Sequence, residues 1–116
     1  MSPSMLVYKI LRATEWQALQ DKGVTDGAPI DLADGYVHLS TGAQVAATLQ
    51  LHFAGVEGLE LLALESDDLG AALRWEASRG GADFPHLYRR LRLSDLRWHA
   101  SLPLESGIHV LPDDLT

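Results

Sequence analysis

The chain has 116 residues, 9 lysines and arginines against 16 acids, no cysteine, and a formal net charge of -7. Such a length predicts one domain, with a core over about residues 6–103 and a short C-terminal tail across 1–116. Without cysteine there is no disulfide, thiolate metal site or cysteine nucleophile, the acidity opposes non-specific DNA or RNA binding, and no apolar run is long enough for a membrane helix.

The N-terminus has neither a basic start nor a signal-like apolar stretch, so a cytoplasmic location is expected. Met5–Leu11 (MLVYKIL) predicts a strand, since it is β-branched and aromatic with no breaker. Thr14 and Gln17 have capping-box spacing, which predicts a short helix to about Asp21. Residues 22–34, with Gly23, Gly27 and Pro29, predict a loop, and loops of that length often carry function.

Gly35–Ser40 (GYVHLS) predicts a second strand. Thr41 and Gln44 repeat the capping spacing, so a helix is expected over 42–53 with Val45, Leu49, His52 and Phe53 as its core stripe. Leu59–Glu65 predicts a third strand, Ser66–Gly70 a capped helical turn and Leu73–Ala77 a fourth strand. Residues 78–83 predict a glycine-containing loop, and Phe84-Pro85 an extended entry. Leu87–Leu93 and Leu96–Leu102 are two further strand candidates, and the tail around Pro112 and Asp113-Asp114 is expected to fray. Helices come early and strands late, which predicts an α+β fold: a mixed or antiparallel sheet with helices packed on it.

Phosphate-loop, dinucleotide, HExxH and nucleophile-elbow motifs are absent. The five histidines are dispersed, and no metal site is expected. Strand alternation places Val37 and Leu39 on one face of 35–40 and Tyr36, His38 and Ser40 on the other, with Thr41 at the end. That row of phenol, imidazole and hydroxyl can hydrogen-bond a polar ligand, with His38 as a group that titrates near neutral pH. The plainer alternative is a half-solvated strand.

A second constellation follows in the segment 74–99, where six arginines face three acids. Arg74 and Glu76 share a strand face opposite Leu73 and Trp75. Next come Ser78, Arg79, Gly80 and Gly81, whose backbone amides and guanidinium can hold an anion. His86 and Tyr88 offer an imidazole and an aromatic ring for a flat ligand. Phe84, Trp16, Trp75 and Trp98 are assigned to packing. Surface ion pairing is the alternative for the arginines.

Tyr8-Lys9-Ile10, the run Asp31 to Thr41, Trp75 to Gly81 and Phe84 to Tyr88 resemble the family called domain of unknown function 952, over about residues 6–103. The resemblance implies a small ADP-ribosyltransferase-like split sheet that cradles NAD, so NAD is a possible cofactor. That wider group uses a first-strand His or Arg, a second-strand Ser, Thr or Tyr, and a later Glu. Ser40-Thr41 match the second. Glu76 would be the acid that stabilises an oxocarbenium, with His38 beside it as the other catalytic candidate. Tyr8 and Lys9 stand where the group has its first-strand residue. The expected site is then His38, Ser40, Thr41, Glu76, Ser78, Arg79, Gly80, Gly81, His86 and Tyr88. It would take a small anionic or nucleotide-like ligand; the alternatives are an NAD-using enzyme and a structural interaction domain.

Overall fold

The computed structural model describes residues 5–77, 81–112 and 115. Two strands form its centre: β1 (Leu6–Leu11) and β5 (Leu59–Glu65). Leu6 pairs with Glu65 and Leu11 with Glu60, antiparallel. Both strands are mostly apolar, broken by Lys9 in β1 and by Glu60 and Glu65 in β5, because both faces of their sheet are covered. One face buries Val7, Leu11, Leu62 and Leu64 with Leu19, Val37, Leu39, Leu87 and Leu91. The other buries Tyr8, Ile10, Leu61 and Ala63 with Val45, Leu49 and Leu102. Each fully buried leucine contributes roughly 1.5–3 kcal/mol.

Helix α1 (Ala13–Lys22) follows β1. Its N-cap is Arg12, whose backbone N–H donates to Glu15 at 2.9 Å, so the capping pair lies two residues before the expected Thr14–Gln17. Gln17 bonds Asp21 instead, at 3.0 Å.

The expected loop 22–34 holds two elements. Strand β2 (Val24–Thr25) pairs with β8 (Leu91–Arg92), and α2 (Pro29–Asp34) follows. Proline at the first helical position, Asp31 accepting the Ala28 N–H at 2.7 Å, and Gly35 at φ 84° in the left-handed C-cap together define this one-and-a-half-turn helix.

The expected strand 35–40 is also divided. β3 (Val37–His38) pairs with β7 (Asp83–Leu87), while β4 (Ser40–Thr41) pairs with β1. Leu39 lies between them and donates its N–H to Pro85 O at 3.0 Å. The chain thus crosses from one sheet to another within five residues. The first sheet has the order β4-β1-β5-β9, with β9 spanning Leu96–Leu102; the second is β3-β7-β6, with β6 spanning Leu73–Ala77. All pairings are antiparallel.

Thr41 and Gln44 form the expected cap, with the Thr41 N–H on Gln44 Oε1 at 3.0 Å. A 3-10 turn (Gly42–Gln44) then leads into α3 (Val45–His52), which buries Val45 and Leu49 but leaves His52 exposed. The helical turn is α4 (Ser66–Leu69). Phe84 and Pro85 lie inside β7 rather than before it, so the expected strand 87–93 begins four residues early and reduces to β8 at its far end. Trp75 is 42% exposed, against the packing role expected of it. The tail adds a hairpin, β10 (Leu104–Glu105) and β11 (Ile108–His109), turned by Ser106 and Gly107 at φ 52° and 81°. No helix among the described residues is long and apolar enough to cross a membrane.

Candidate functional site

Asp31 organises the region where the sheets meet. It is 1% exposed. Its Oδ2 accepts Lys9 Nζ and the Ala28 N–H, each at 2.7 Å. Its Oδ1 accepts the backbone N–H of His38 at 2.9 Å and the imidazole Nδ1–H of His38 at 2.6 Å. Lys9 also donates to His38 O at 3.1 Å. Burial by itself would raise this carboxyl's pKa. The hydrogen bond from His38 and the charge of Lys9 outweigh burial, and the pKa falls to about 2. Gly27, at φ 103°, lies so close that any Cβ there would overlap the Asp31 carboxylate. The sequence assigned Asp31 to a loop; the Pro29–Asp31–Gly35 spacing was the signal that could have found it.

His38 is held at both ring nitrogens, since Nε2 lies 3.0 Å from Asp34 Oδ2. Directly opposite on β7 is His86, with ring centroids 5.3 Å apart. His86 is 3% exposed and its Nδ1–H donates to Glu76 Oε1 at 2.9 Å. The same oxygen accepts the Tyr88 hydroxyl at 2.6 Å. Those bonds, Tyr88 first and His86 second, lower the pKa of Glu76, and the bond to Glu76 raises that of Tyr88. Tyr36 packs on His86 at 4.2 Å, His38 at 4.7 Å and Tyr88 at 5.1 Å. Burial, then the nearby Asp34, Glu76 and Asp31, raise the Tyr36 pKa.

A cleft of about 740 Å³ opens beside this network. Tyr8, Ile10, Leu39, Phe53 and Phe84 supply apolar wall, and His38, Ser40 and His86 line its polar part. Phe84 therefore both packs and lines. At the mouth the Arg12 guanidinium lies over the Phe53 ring at 4.7 Å, with Glu15 4.0 Å away. Lys9 lines the cleft too, but its charge is committed to Asp31.

The expected site residues divide accordingly. His38, Ser40 and His86 come together in the cleft. Glu76 is joined to His38 through His86 and stands outside the lining set. Tyr88 lies on a separate recess of about 320 Å³ with Tyr36, Arg89 and Arg90. Thr41 caps the turn before α3, and Gly81 is exposed; neither lines the cleft. Ser78, Arg79 and Gly80 fall outside the described residues. Lys9, Asp31 and Asp34 are the partners that the sequence reading missed. Among the described residues no three His, Asp or Glu side chains are grouped to hold a metal ion.

The architecture is that of an α+β protein whose antiparallel sheets meet beside a histidine-lined cleft. The family profile described as "Protein of unknown function (DUF952)" matches residues 10–99, and the chain belongs to that family. It is similar to the crystal structure of protein CC0527 from Caulobacter crescentus, with 48% identity over 90% of this chain and 93% of that one and a TM-score of 0.86. The solution NMR structure of CC0527 matches with 49% identity over 89% and 90% of the two chains, at a TM-score of 0.80. A search of curated proteins gives no match.

Proposed function

We propose that the cleft is a binding site for a small nucleotide-like ligand. One observation carries this reading: His86 is almost wholly buried, lines the cleft, and has its Nδ1 fixed by Glu76 while its Nε2 has no partner among the described residues. An unmet buried polar atom costs about 1–3 kcal/mol. A ligand that bonds Nε2 removes that cost. The volume, about 740 Å³, suits a small molecule. Tyr8, Phe53 and Phe84 offer wall for a flat ring, and Arg12 offers a cation at the mouth for a charged end.

An ADP-ribosyltransferase-like fold belongs to the same reading, supported by antiparallel sheets that meet at a cleft. The second reading is an NAD-using enzyme. It is favoured by a carboxylate-oriented imidazole at a cleft wall, the arrangement from which general acid–base catalysis is built.

The test is a thermal-shift and calorimetry screen of NAD, ADP-ribose, mononucleotides and sugar phosphates against the full chain, with nicotinamide release followed in parallel. Stabilisation by at least one compound is expected, about 2.7 kcal/mol at 100 times Kd, and it should be lost in His86→Phe. No stabilisation by any of them at millimolar concentration would refute the binding reading. Nicotinamide release that His86→Phe abolishes would promote the enzyme reading over it.

A further inference from the structure

We infer that the inner end of this cleft recognises its ligand through hydrogen bonds that the ligand donates, so that the group seated there is a sugar-type hydroxyl and not a phosphate or carboxylate. The inference rests on the binding reading and adds the chemistry of its inner contact.

Glu76 Oε1 is a carboxylate oxygen and can only accept, so the proton between it and His86 lies on Nδ1. Neutral imidazole has one N–H. With Nδ1 carrying it, Nε2 presents a lone pair. The Tyr88 hydroxyl donates to the same carboxylate oxygen and reinforces its role as acceptor. No other group among the described residues bonds Nε2.

Ser40 follows the same logic. The Thr48 hydroxyl donates to Gln44 O at 3.0 Å. With its single proton on Gln44 O, the 3.1 Å contact between Ser40 Oγ and Thr48 Oγ1, which either hydroxyl could donate, is assigned to Ser40 as donor. The Ser40 hydroxyl is then spent as a donor, and only lone pairs remain for the cleft. Ser40 is 5% exposed and lies on the cleft wall, as does His86.

Two cationic donors beside this wall are committed. Lys9 Nζ is held by Asp31 and His38 O. Both His38 nitrogens face carboxylates. Among the described residues, the wall at His86 and Ser40 therefore presents acceptors, and Lys9 and His38 beside it are already paired with carboxylates. An anionic oxygen placed against His86 Nε2 would meet a lone pair, whereas a hydroxyl would supply the missing proton. The charged end of a nucleotide-like molecule would point outward, towards Arg12.

Two measurements test this on the full chain. First, long-range 1H–15N NMR correlations of the His86 ring, recorded above its titration midpoint, should show the Nδ1–H tautomer. Second, adenosine, 2′,3′-dideoxyadenosine and inorganic phosphate serve as probes. Adenosine should move the His86 Nε2 resonance, dideoxyadenosine should bind about tenfold or more weakly for two lost bonds, and phosphate should leave Nε2 unmoved. Ser40→Ala should weaken adenosine about five- to tenfold with an unchanged circular dichroism spectrum. The inference is overturned by an Nε2–H tautomer, by dideoxyadenosine binding as tightly as adenosine, or by phosphate moving Nε2 as far as adenosine does. The Nδ1–H tautomer with no response to any probe would instead refute the binding reading, and this inference with it.

Discussion

His38 and His86 face each other across β3 and β7, each with Nδ1 against a carboxylate, yet they differ in what remains. His38 meets Asp31 and Asp34 at its two nitrogens, while His86 meets Glu76 at one and has no partner for the other among the described residues. The pair thus separates an anchor from a contact. His38 ties β3 to α2 through Asp31. His86 is the histidine with capacity for a ligand.

Asp31→Asn should destabilise the protein by about 3–5 kcal/mol, because Lys9 would be left as a buried charge without its counter-charge. Urea denaturation measures this. Lys9→Met combined with Asp31→Asn should recover part of the loss, since a pair removed together leaves no lone charge. A double variant less stable than Asp31→Asn alone would show that Lys9 stabilises the fold by packing or through His38 O.

The same carboxylate predicts an acid limb. The pKa of Asp31 is lowered from 3.8 to about 2 in the folded protein. A lowered folded pKa means that the unfolded chain binds the proton first. The stabilisation is therefore fully present well above pH 3.8 and is lost as pH falls towards 2, amounting to about 2 kcal/mol. Asp95, lowered through its Arg89 ion pair against the opposing effect of burial, adds to the limb in the same direction. Unfolding free energies from pH 6 to pH 2 should fall more steeply for the wild type than for Asp31→Asn. Parallel curves would remove Asp31 as a source of the acid sensitivity.

Gly27 and Gly55 make a controlled comparison. Both have positive φ, 103° and 74°, but a Cβ at Gly55 meets nothing within 4 Å, while one at Gly27 enters the space of the Asp31 carboxylate. Gly55→Ala should cost about 1 kcal/mol from backbone strain alone. Gly27→Ala should cost more, since Asp31 must also move and loosen Lys9 and His38. Equal midpoints in thermal unfolding would show that the carboxylate shifts freely.

The legible parts of the sequence were those whose local pattern and tertiary setting agree. Strand β5 carries five apolar residues among seven, and all seven, Glu60 and Glu65 included, are buried because both of its faces are covered. The bounds of β6 agree with the sequence pattern, yet on this edge strand Trp75 is exposed while Leu73, on the same strand face, packs on the core. The division of 35–40 was not legible. Alternation put Val37 and Leu39 on one face, and both are indeed buried, but nothing local says that the backbone changes sheet at Leu39. At the site, alternation brought His38 and Ser40 to the same side. The Asp31 hub was lost because its three partners, Lys9, Ala28 and His38, come from separate elements, and only the short helix α2 brings them together. The tail hairpin is hard to read locally, because its strands are two residues each and only the Ser106-Gly107 turn marks it.

Glu76 acts in this structure through His86. Its carboxylate is bonded to the imidazole and to Tyr88 and does not line the cleft. A positioning role predicts a specific pattern. Glu76→Ala should leave the fold intact, since the side chain is 38% exposed, but should release the tautomer of His86. The proton can then move to Nε2, and the acceptor seen by the ligand is lost. Glu76→Gln can still accept from Nδ1–H and from the Tyr88 hydroxyl through its amide oxygen, so it should restore the Nδ1–H tautomer and most of the adenosine affinity. The 15N shifts of His86 and adenosine binding should therefore change together in Ala and recover together in Gln. A direct electrostatic role for the carboxylate predicts otherwise: Gln would fail as completely as Ala, with the His86 tautomer unchanged in both. That second pattern would place the Glu76 charge in the chemistry and return the NAD-using reading to first place.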